Sequence, residues 1–313
     1  MRVVVVGAGF GARVVAGVFR DEGMDVDVVS PRDPSSVRAA IAAPVDLVSV
    51  HSPPFLHTEH VGWALEHGRA VLCDKPFGRS ADEARAMFTA AESAGVVHLL
   101  NFEFRQDPTR VALRQVVVGG RIGDPVHIHW TAFNSGSRRP LRHHGWLFDR
   151  DAGGGWIGAF GSHVIDTVRW MVGEISHATA TRRIDIPERP DADGAMRRCT
   201  AEDAFTAQLS MAVGATAVID TAFAAPVNVM PRITVFGTEG VAELVGATEL
   251  HVRRAGEPPT VQTFAPFDGD PHLPAMRPWA KLVREAVESR RQIAPSFADG
   301  VACARVMDLL RAE

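Results

Sequence analysis

The 313-residue chain contains no tyrosine. That removes one common acid, so proton-transfer chemistry must fall to lysine, histidine or a carboxylate. Cysteine is scarce: Cys73, Cys199 and Cys303 are far apart and odd in number. They do not form a disulfide framework or a zinc pattern, and they fit a reduced, cytoplasmic protein. No apolar run approaches the length needed to span a bilayer, and the opening residues carry no signal-peptide cleavage pattern. A strong charge of one sign is also missing. Lys+Arg 33 against Asp+Glu 37 leaves a net charge of −4, so nothing points to a nucleic-acid or anionic-membrane partner. Hydrophobic content of 46% and charged content of 22% are ordinary for a soluble globular chain, and the length suffices for two domains.

What is present begins at once. Met1 to Ala12 read MRVVVVGAGFGA, a valine strand running into a glycine-rich turn at the mouth of a helix. Gly7 permits the tight turn. Gly9 lets backbone N–H groups approach a pyrophosphate, and the helix offers its positive end to the phosphates. Ala12 is the third small position, where helix and strand pack closely. The spacing alone is weak, but strand before and helix after support it. Gly7, Gly9, Phe10, Gly11 and Ala12 are the candidate dinucleotide cradle.

The first ~118 residues alternate strand and helix as in a doubly wound sheet. Strands are expected at Val3–Val6, Asp25–Ser30, Asp46–Val50, Ala70–Cys73 and Val96–Phe102. Ser80 and Glu83 form a capping box for a helix ending at Gly95. After Gly123-Asp124-Pro125 the period becomes two. Strands are expected at Val126–Phe133, Ala178–Ile186, Ala204–Met211, Thr216–Phe223, Arg232–Phe236, Thr248–Arg253 and Thr260–Phe264. One helix, Ser162–Val172, is inserted and capped by Ser162. Pro187–Gly194 reads as an exposed loop, and the tail as helices Pro278–Arg290 and Phe297–Arg311. The expected fold is α/β. A Rossmann domain with a parallel sheet spans 1–120. An α+β domain on an open, mainly antiparallel sheet spans 121–313, and its last helices are able to pack back on the first domain.

Three segments carry chemistry. Asp74-Lys75-Pro76 follows a strand at the end where ligands sit in such sheets. A lysine there points toward the nicotinamide end of a bound cofactor, and it exchanges protons if burial lowers its pKa. A lone surface lysine in a loop would look the same. The second is Gly153 to Asp166 (GGGWIGAFGSHVID). His163, Asp166 and Trp170 share one helix face, and a histidine in the first turn is favoured in its neutral form. A capping histidine and a solvated aspartate would give the same letters. The third is the end of strand two. Ser30 and Arg32 stand where an acidic residue would grip the ribose of NAD, so a 2′-phosphate is better suited, and NADP is preferred with NAD possible. Asp33 follows several residues later. Ser52, Pro53 and His57 border the cofactor at the Pro-Pro turn, although structural roles suit His51 and His57 better. Asn101, Glu103 and Arg105 also lie near the nicotinamide end. No His/Cys/Asp/Glu spacing reads as a metal site.

Together GAGFGA, DKP at 74–76 and GGG-x6-SH-x2-D at 153–166 resemble the Gfo/Idh/MocA family (glucose–fructose oxidoreductase and inositol 2-dehydrogenase type). VHSPPFLH at 50–57, GRIGDP at 120–125 and FGTEG at 236–240 extend the resemblance along nearly the whole chain. It implies NAD(P)-dependent hydride transfer at a CH–OH group of a sugar, cyclitol or related molecule. It also implies a homodimer or homotetramer formed through the C-terminal sheet. Lys75 and His163 match the family's catalytic lysine and histidine, Asp166 a substrate contact, and Asp74 and Lys75 also border the cofactor. One position departs. Inositol-dehydrogenase-like members carry an aspartate four residues before the histidine, and here it is Ala159. A non-catalytic NAD(P)-binding sensor of the same fold is therefore the alternative.

Overall fold

Val3 to Val6 are at most 1% exposed, as a strand covered on both faces requires. They lie in β1 (Arg2–Val6), at the heart of an all-parallel sheet with β2 (Asp25–Val29), β3 (Leu47–Val50), β4 (Ala70–Cys73) and β5 (His98–Leu100), in the order β2-β1-β3-β4-β5. The connecting helices are α1 (Ala16–Asp21), α2 (Pro34–Ala42), α3 (His57–Glu66) and α4 (Ala81–Ala94). A π-helical turn, Gly11–Val15, leads into α1. Ser80 accepts from the Glu83 N–H at 3.3 Å and Gly95 closes α4 in the left-handed region, φ +64°, as the capping box and the glycine foretell. This computed structural model describes residues 1–312. Two compact units emerge, residues 1–106 with 268–305 and residues 107–267 with 306 onward.

The second unit holds α5 (Pro108–Val118), β6 (Pro125–Phe133), α6 (Ser162–Val172), β7 (Ile175–Arg183), a small hairpin of β8 (Glu188–Pro190) and β9 (Met196–Arg198), and β10 (Ala204–Met211). Then come β11 (Thr216–Ala222), β12 (Arg232–Gly237), β13 (Gly240–Val245), β14 (Glu249–Arg254) and β15 (Thr260–Thr263). Eight strands form one sheet, β15-β14-β13-β12-β6-β11-β10-β7. Only the β6–β11 pair is parallel. Period two sends Ile128, Trp130 and Ala132 inward with Ala217, Ile219, Ala207 and Leu209. Helix α5 packs on β13, β14 and α6. Across the other face, pairing aligns Thr179, Gln208, Val218, His129, Thr234 and Glu243 in one row.

The chain then returns to the first unit with α7 (Leu273–Ser289), whose Met276, Trp279 and Val283 join a core of Val3, Val5, Phe19, Leu47, Leu72 and Leu99. The last helix, α8, is Phe297–Arg311. Several details differ from the sequence expectations. Helix α5, which the strand–helix rhythm groups with the first domain, belongs to the second unit. Helix α7 starts at Leu273, with Pro274 in its first turn and Pro278 inside it. Strand β7 begins at Ile175 and ends at Arg183. The segment 187–194 contributes β8, paired with β9.

Candidate active site

The glycine turn is built against one histidine. A Cβ on Gly7 would come within 3.0 Å of the His51 Cβ and carbonyl, and one on Gly11 within 2.7 Å of the His51 Cβ. A Cβ on Gly9 would meet nothing within 4 Å. Two glycines therefore seat the turn on the end of β3, and the third faces open space. The close packing expected at Ala12 is made by Gly11, and Ala12 is only half-buried. Phe10 provides no side-chain cap for the helix that follows. Uncapped N–H groups beside an open glycine suit a phosphate. The residues present fit a dinucleotide.

Beneath this turn runs a chain of hydrogen bonds. Ser49 Oγ lies 2.8 Å from His51 Nε2, and His51 Nδ1 lies 3.1 Å from Asp74 Oδ2. Asp74 Oδ1 accepts from the Lys75 N–H at 2.9 Å and the Asn101 amide at 3.3 Å. Burial pushes the Asp74 carboxyl up, but the His51 hydrogen bond and charge, with the Lys75 ammonium, hold it well below the usual carboxylate range. Asp74 is a part-buried anion beside Lys75, at the C-terminal end of β4. The Lys75–Pro76 bond is cis. Lys75 and Lys281 are the only lysines; the remainder of the 33 basic residues are arginine. Arginine does not release its proton in proteins. That lysine count is a sequence signal for Lys75 beyond the DKP spacing.

His57 is 1% exposed. Its ring nitrogens face the Ser52 and Phe77 carbonyls at 2.8 and 3.1 Å, and burial pulls its pKa down. It fastens the Pro53 turn to the segment after β4. The Ser52 hydroxyl meets His60 Nδ1 at 3.0 Å, and burial lowers His60 to about 4, so this imidazole is neutral at pH 7.

At the end of β2, Ser30 and Arg32 are exposed, and the Arg32 N–H reaches Ser30 Oγ at 3.3 Å. The Asp33 carboxylate is occupied. It accepts from the hydroxyls of Ser35 and Ser36, both at 2.6 Å, and from the Ser36 N–H at 3.1 Å, capping α2. Those hydrogen bonds lower its pKa to about 2.

In the second unit, His163 and Asp166 are each 2% exposed. The expectation that Ser162 caps this helix is corrected. A π-helical turn, Ile157–Gly161, precedes α6, and Ser162 Oγ donates back to the Gly158 carbonyl at 2.6 Å. His163 therefore lies a turn inside the helix, where the end dipole has largely decayed, and the dipole argument for its neutral form loses its basis. The start is held by Glu202, whose carboxylate accepts from the Ile157 N–H at 3.0 Å across 45 residues. Gly155, at φ +103°, leaves that carboxylate room, since a Cβ would lie 2.2 Å from Glu202 Oε1. Glu202 has no local sequence signal. From α5, Arg110 donates to Thr167 Oγ1 at 3.3 Å, and Arg114 to the Trp170 carbonyl at 3.0 Å.

Comparison with known proteins agrees with this layout. Residues 1–102 match the model of an oxidoreductase family with an NAD-binding Rossmann fold, and 111–243 match the Gfo/Idh/MocA C-terminal domain. The levoglucosan dehydrogenase of Pseudarthrobacter phenanthrenivorans is 28% identical over 300 residues, covering 85% of this chain and 77% of that protein. The inositol 2-dehydrogenase of Rhizobium meliloti is 25% identical, covering 95% and 84%. Among solved structures, a levoglucosan dehydrogenase in complex with NADH and L-sorbose superposes with a TM-score of 0.87 at 23% identity, over 99% of this chain and 96% of that one. Among the described residues, no helix is long and apolar enough to cross a membrane.

Proposed function

The chain belongs to the Gfo/Idh/MocA family of NAD(P)-dependent oxidoreductases, and from that premise we propose an NADP-preferring dehydrogenase acting on a CH–OH group of a sugar or cyclitol. The observation that carries the chemistry is Lys75, one of two lysines, at the end of β4 beside the ionised Asp74. A bound nicotinamide would accept hydride from the alcohol carbon, or donate it to the carbon of the corresponding carbonyl. In the first unit Lys75 steadies the developing alkoxide by its charge and exchanges the hydroxyl proton; in the second, the family resemblance gives His163 the acid–base role and Asp166 that of a substrate contact. Lys75→Arg keeps the charge and loses the exchangeable proton. Turnover should fall about 100-fold or more, with NADPH affinity near wild type. Retention of wild-type kcat would refute the assignment.

The NADP preference rests on Asp33. Its carboxylate is committed to the cap of α2, which leaves Ser30 and Arg32 to meet the ribose or its phosphate. Titration of nicotinamide fluorescence should give tighter NADPH than NADH binding. Arg32→Ala should weaken NADPH binding about tenfold, the low end for a charge-assisted contact, and leave NADH unchanged. Tighter NADH binding in the wild type would overturn the preference.

Ala159, in place of the aspartate of inositol-dehydrogenase-like members, favours a second reading as a cofactor-bound sensor without turnover. A panel of keto-sugars with NADPH separates the two readings. We place the protein in the cytoplasm on its three free, buried cysteines. We also propose a homodimer or homotetramer through the outward face of the eight-stranded sheet, where Phe236 and Val261 are 40% and 53% exposed. Light scattering of the eluted protein tests it; a monomer at micromolar concentration would refute it.

A further inference from the structure

Glu103 lies in the short turn Glu103–Gln106 after β5, and its side chain is 1% exposed. A carboxylate so buried needs strong donors. One comes from far along the chain. His272, immediately before α7, places Nδ1 2.7 Å from Glu103 Oε1 across 169 residues. The His272 backbone N–H is fixed by Asp270 Oδ1 at 3.0 Å. Its ring stacks on Phe104, with centroids 5.1 Å apart and planes at 21°. Its other neighbour is Phe10, met edge to face at 4.8 Å. Phe10 stands between Gly9 and Gly11, at the start of the helix whose N–H groups face the phosphate site. A carboxylate and two aromatic rings therefore hold one imidazole beside the glycine turn, with 29% of its side chain exposed.

We propose that His272 completes the pyrophosphate site, presenting Nε2 to a phosphate of the dinucleotide and taking up a proton as the dinucleotide binds. The inference rests on the dinucleotide-binding reading above and adds a residue to it. The Glu103 carboxylate accepts only, so Nδ1 carries the proton. In the neutral ring Nε2 then holds a lone pair, which repels a phosphate oxygen. Adding a proton at Nε2 makes an imidazolium that donates to Glu103 on one side and to the phosphate on the other. Histidine is the side chain that makes this change near neutral pH. The other charged groups around it are accounted for. Arg105, in the same turn, pairs with Asp299 at 2.7 Å. His51, beyond Phe10 at 6.1 Å, is bonded to Ser49 and Asp74. Asp270 holds the backbone, and Arg13 is exposed on the glycine helix.

The test is calorimetric titration with NADPH and with ADP-ribose, which has the pyrophosphate but no nicotinamide. Each is run in two buffers of different ionisation enthalpy between pH 6 and 8.5. Binding of both ligands should be accompanied by proton uptake, and affinity should weaken as pH rises, by at most tenfold per unit for one proton. His272→Gln should abolish the uptake, flatten the pH profile and weaken binding about tenfold at pH 6.5. Its melting temperature checks that it folds. Glu103→Gln should lower the uptake as well. A simple structural tether would move the melting temperature and leave the proton count unchanged. Wild-type protein that binds both ligands without proton uptake overturns the proposal. So does uptake that persists in His272→Gln. Protein that binds neither NADPH, NADH nor ADP-ribose refutes the cofactor reading itself.

Discussion

Alanine at Gly9 and at Gly11 should separate binding from folding within one turn. At Gly11 a Cβ would sit 2.7 Å from the His51 Cβ and 3.1 Å from both His51 Cγ and Val5 Cγ1. Val5 and the His51 side chain are fully buried, and His51 is tied to Ser49 and Asp74, so the clash has no flexible end to yield. Overpacking of this kind costs about 1–3 kcal/mol. That corresponds to roughly 2–4 °C of melting temperature per kcal/mol in a domain of this size. At Gly9 the same methyl meets no atom within 4 Å and the residue is not among those with positive φ, so stability should stay within about 0.5 kcal/mol of wild type. The methyl would instead occupy the space where a phosphate approaches the backbone. Loss of one charge-assisted hydrogen bond is worth about 1.5–3 kcal/mol, roughly a 10- to 150-fold weaker Kd. Thermal melting and NADPH fluorescence titration on both variants decide it. If Gly9→Ala melts as low as Gly11→Ala, or binds NADPH as the wild type does, the assignment of the open glycine to the phosphate is wrong.

Asp74→Asn should lose about 1–3 kcal/mol at neutral pH, since an amide offers a donor where His51 and the Lys75 N–H already donate. The folded-state pKa of Asp74 is depressed, so its contribution is complete above the ordinary carboxylate pKa and is lost as pH falls through the folded value; melting curves from pH 7 to 3 should be steeper for wild type than for the variant. Arg189→Met should cost about 3–5 kcal/mol, because it leaves the Asp203 carboxylate, 2% exposed and 3.6 Å from the guanidinium, buried without its cation. It also removes the donors to the Ser137 carbonyl (2.6 Å) and hydroxyl (3.0 Å), and adding Asp203→Asn should restore part of the loss; no recovery in chemical denaturation would refute the pairing. Ellman's reagent should leave Cys73, Cys199 and Cys303 unmodified until the protein unfolds, as all three are buried and burial, with the Asp74 charge, pushes the Cys73 thiol well up. Rapid stoichiometric labelling of the native protein would contradict this.

The parts that were legible in the sequence are those whose cause is local. Four valines followed by glycines can only be a covered strand entering a turn. Ser80 with Glu83 names a helix start, and inward Ile128, Trp130 and Ala132 alternate visibly. Gly11 was harder. Its need for hydrogen in place of a side chain comes from His51, 40 positions away, just past the end of β3. The motif spacing places that need at Ala12. Glu202 and His272 are long-range in the same sense, because each satisfies a group whose sequence neighbours leave no trace of it. Pro278 reads in the sequence as a first-turn proline, yet Pro274 already fills that position in α7. Strand β13, between the FGTEG turn and Thr248, gives little sequence signal because Gly240, Val241, Glu243 and Val245 are half-buried and blur the period-two contrast.

Ser49, His51 and Asp74 have the connectivity of a nucleophile, its base and the carboxylate that orients the base. Burial decides against that use. Ser49 is 0% exposed and the His51 side chain likewise, so no substrate carbonyl reaches the hydroxyl. The direction of the chain also fits a different purpose. Its anionic end is not a dead end behind the histidine; Asp74 goes on to accept from the Lys75 N–H and the Asn101 amide. A charge held in a largely buried place by three donors cannot follow a neighbour that moves, so the backbone at Lys75 is fixed relative to β3, β4 and the turn after β5. The same histidine fills the hollow under Gly7 and Gly11. Through one imidazole, the seat of the glycine turn and the anchor of Lys75 are a single packed unit. A change at either end is therefore felt at the other.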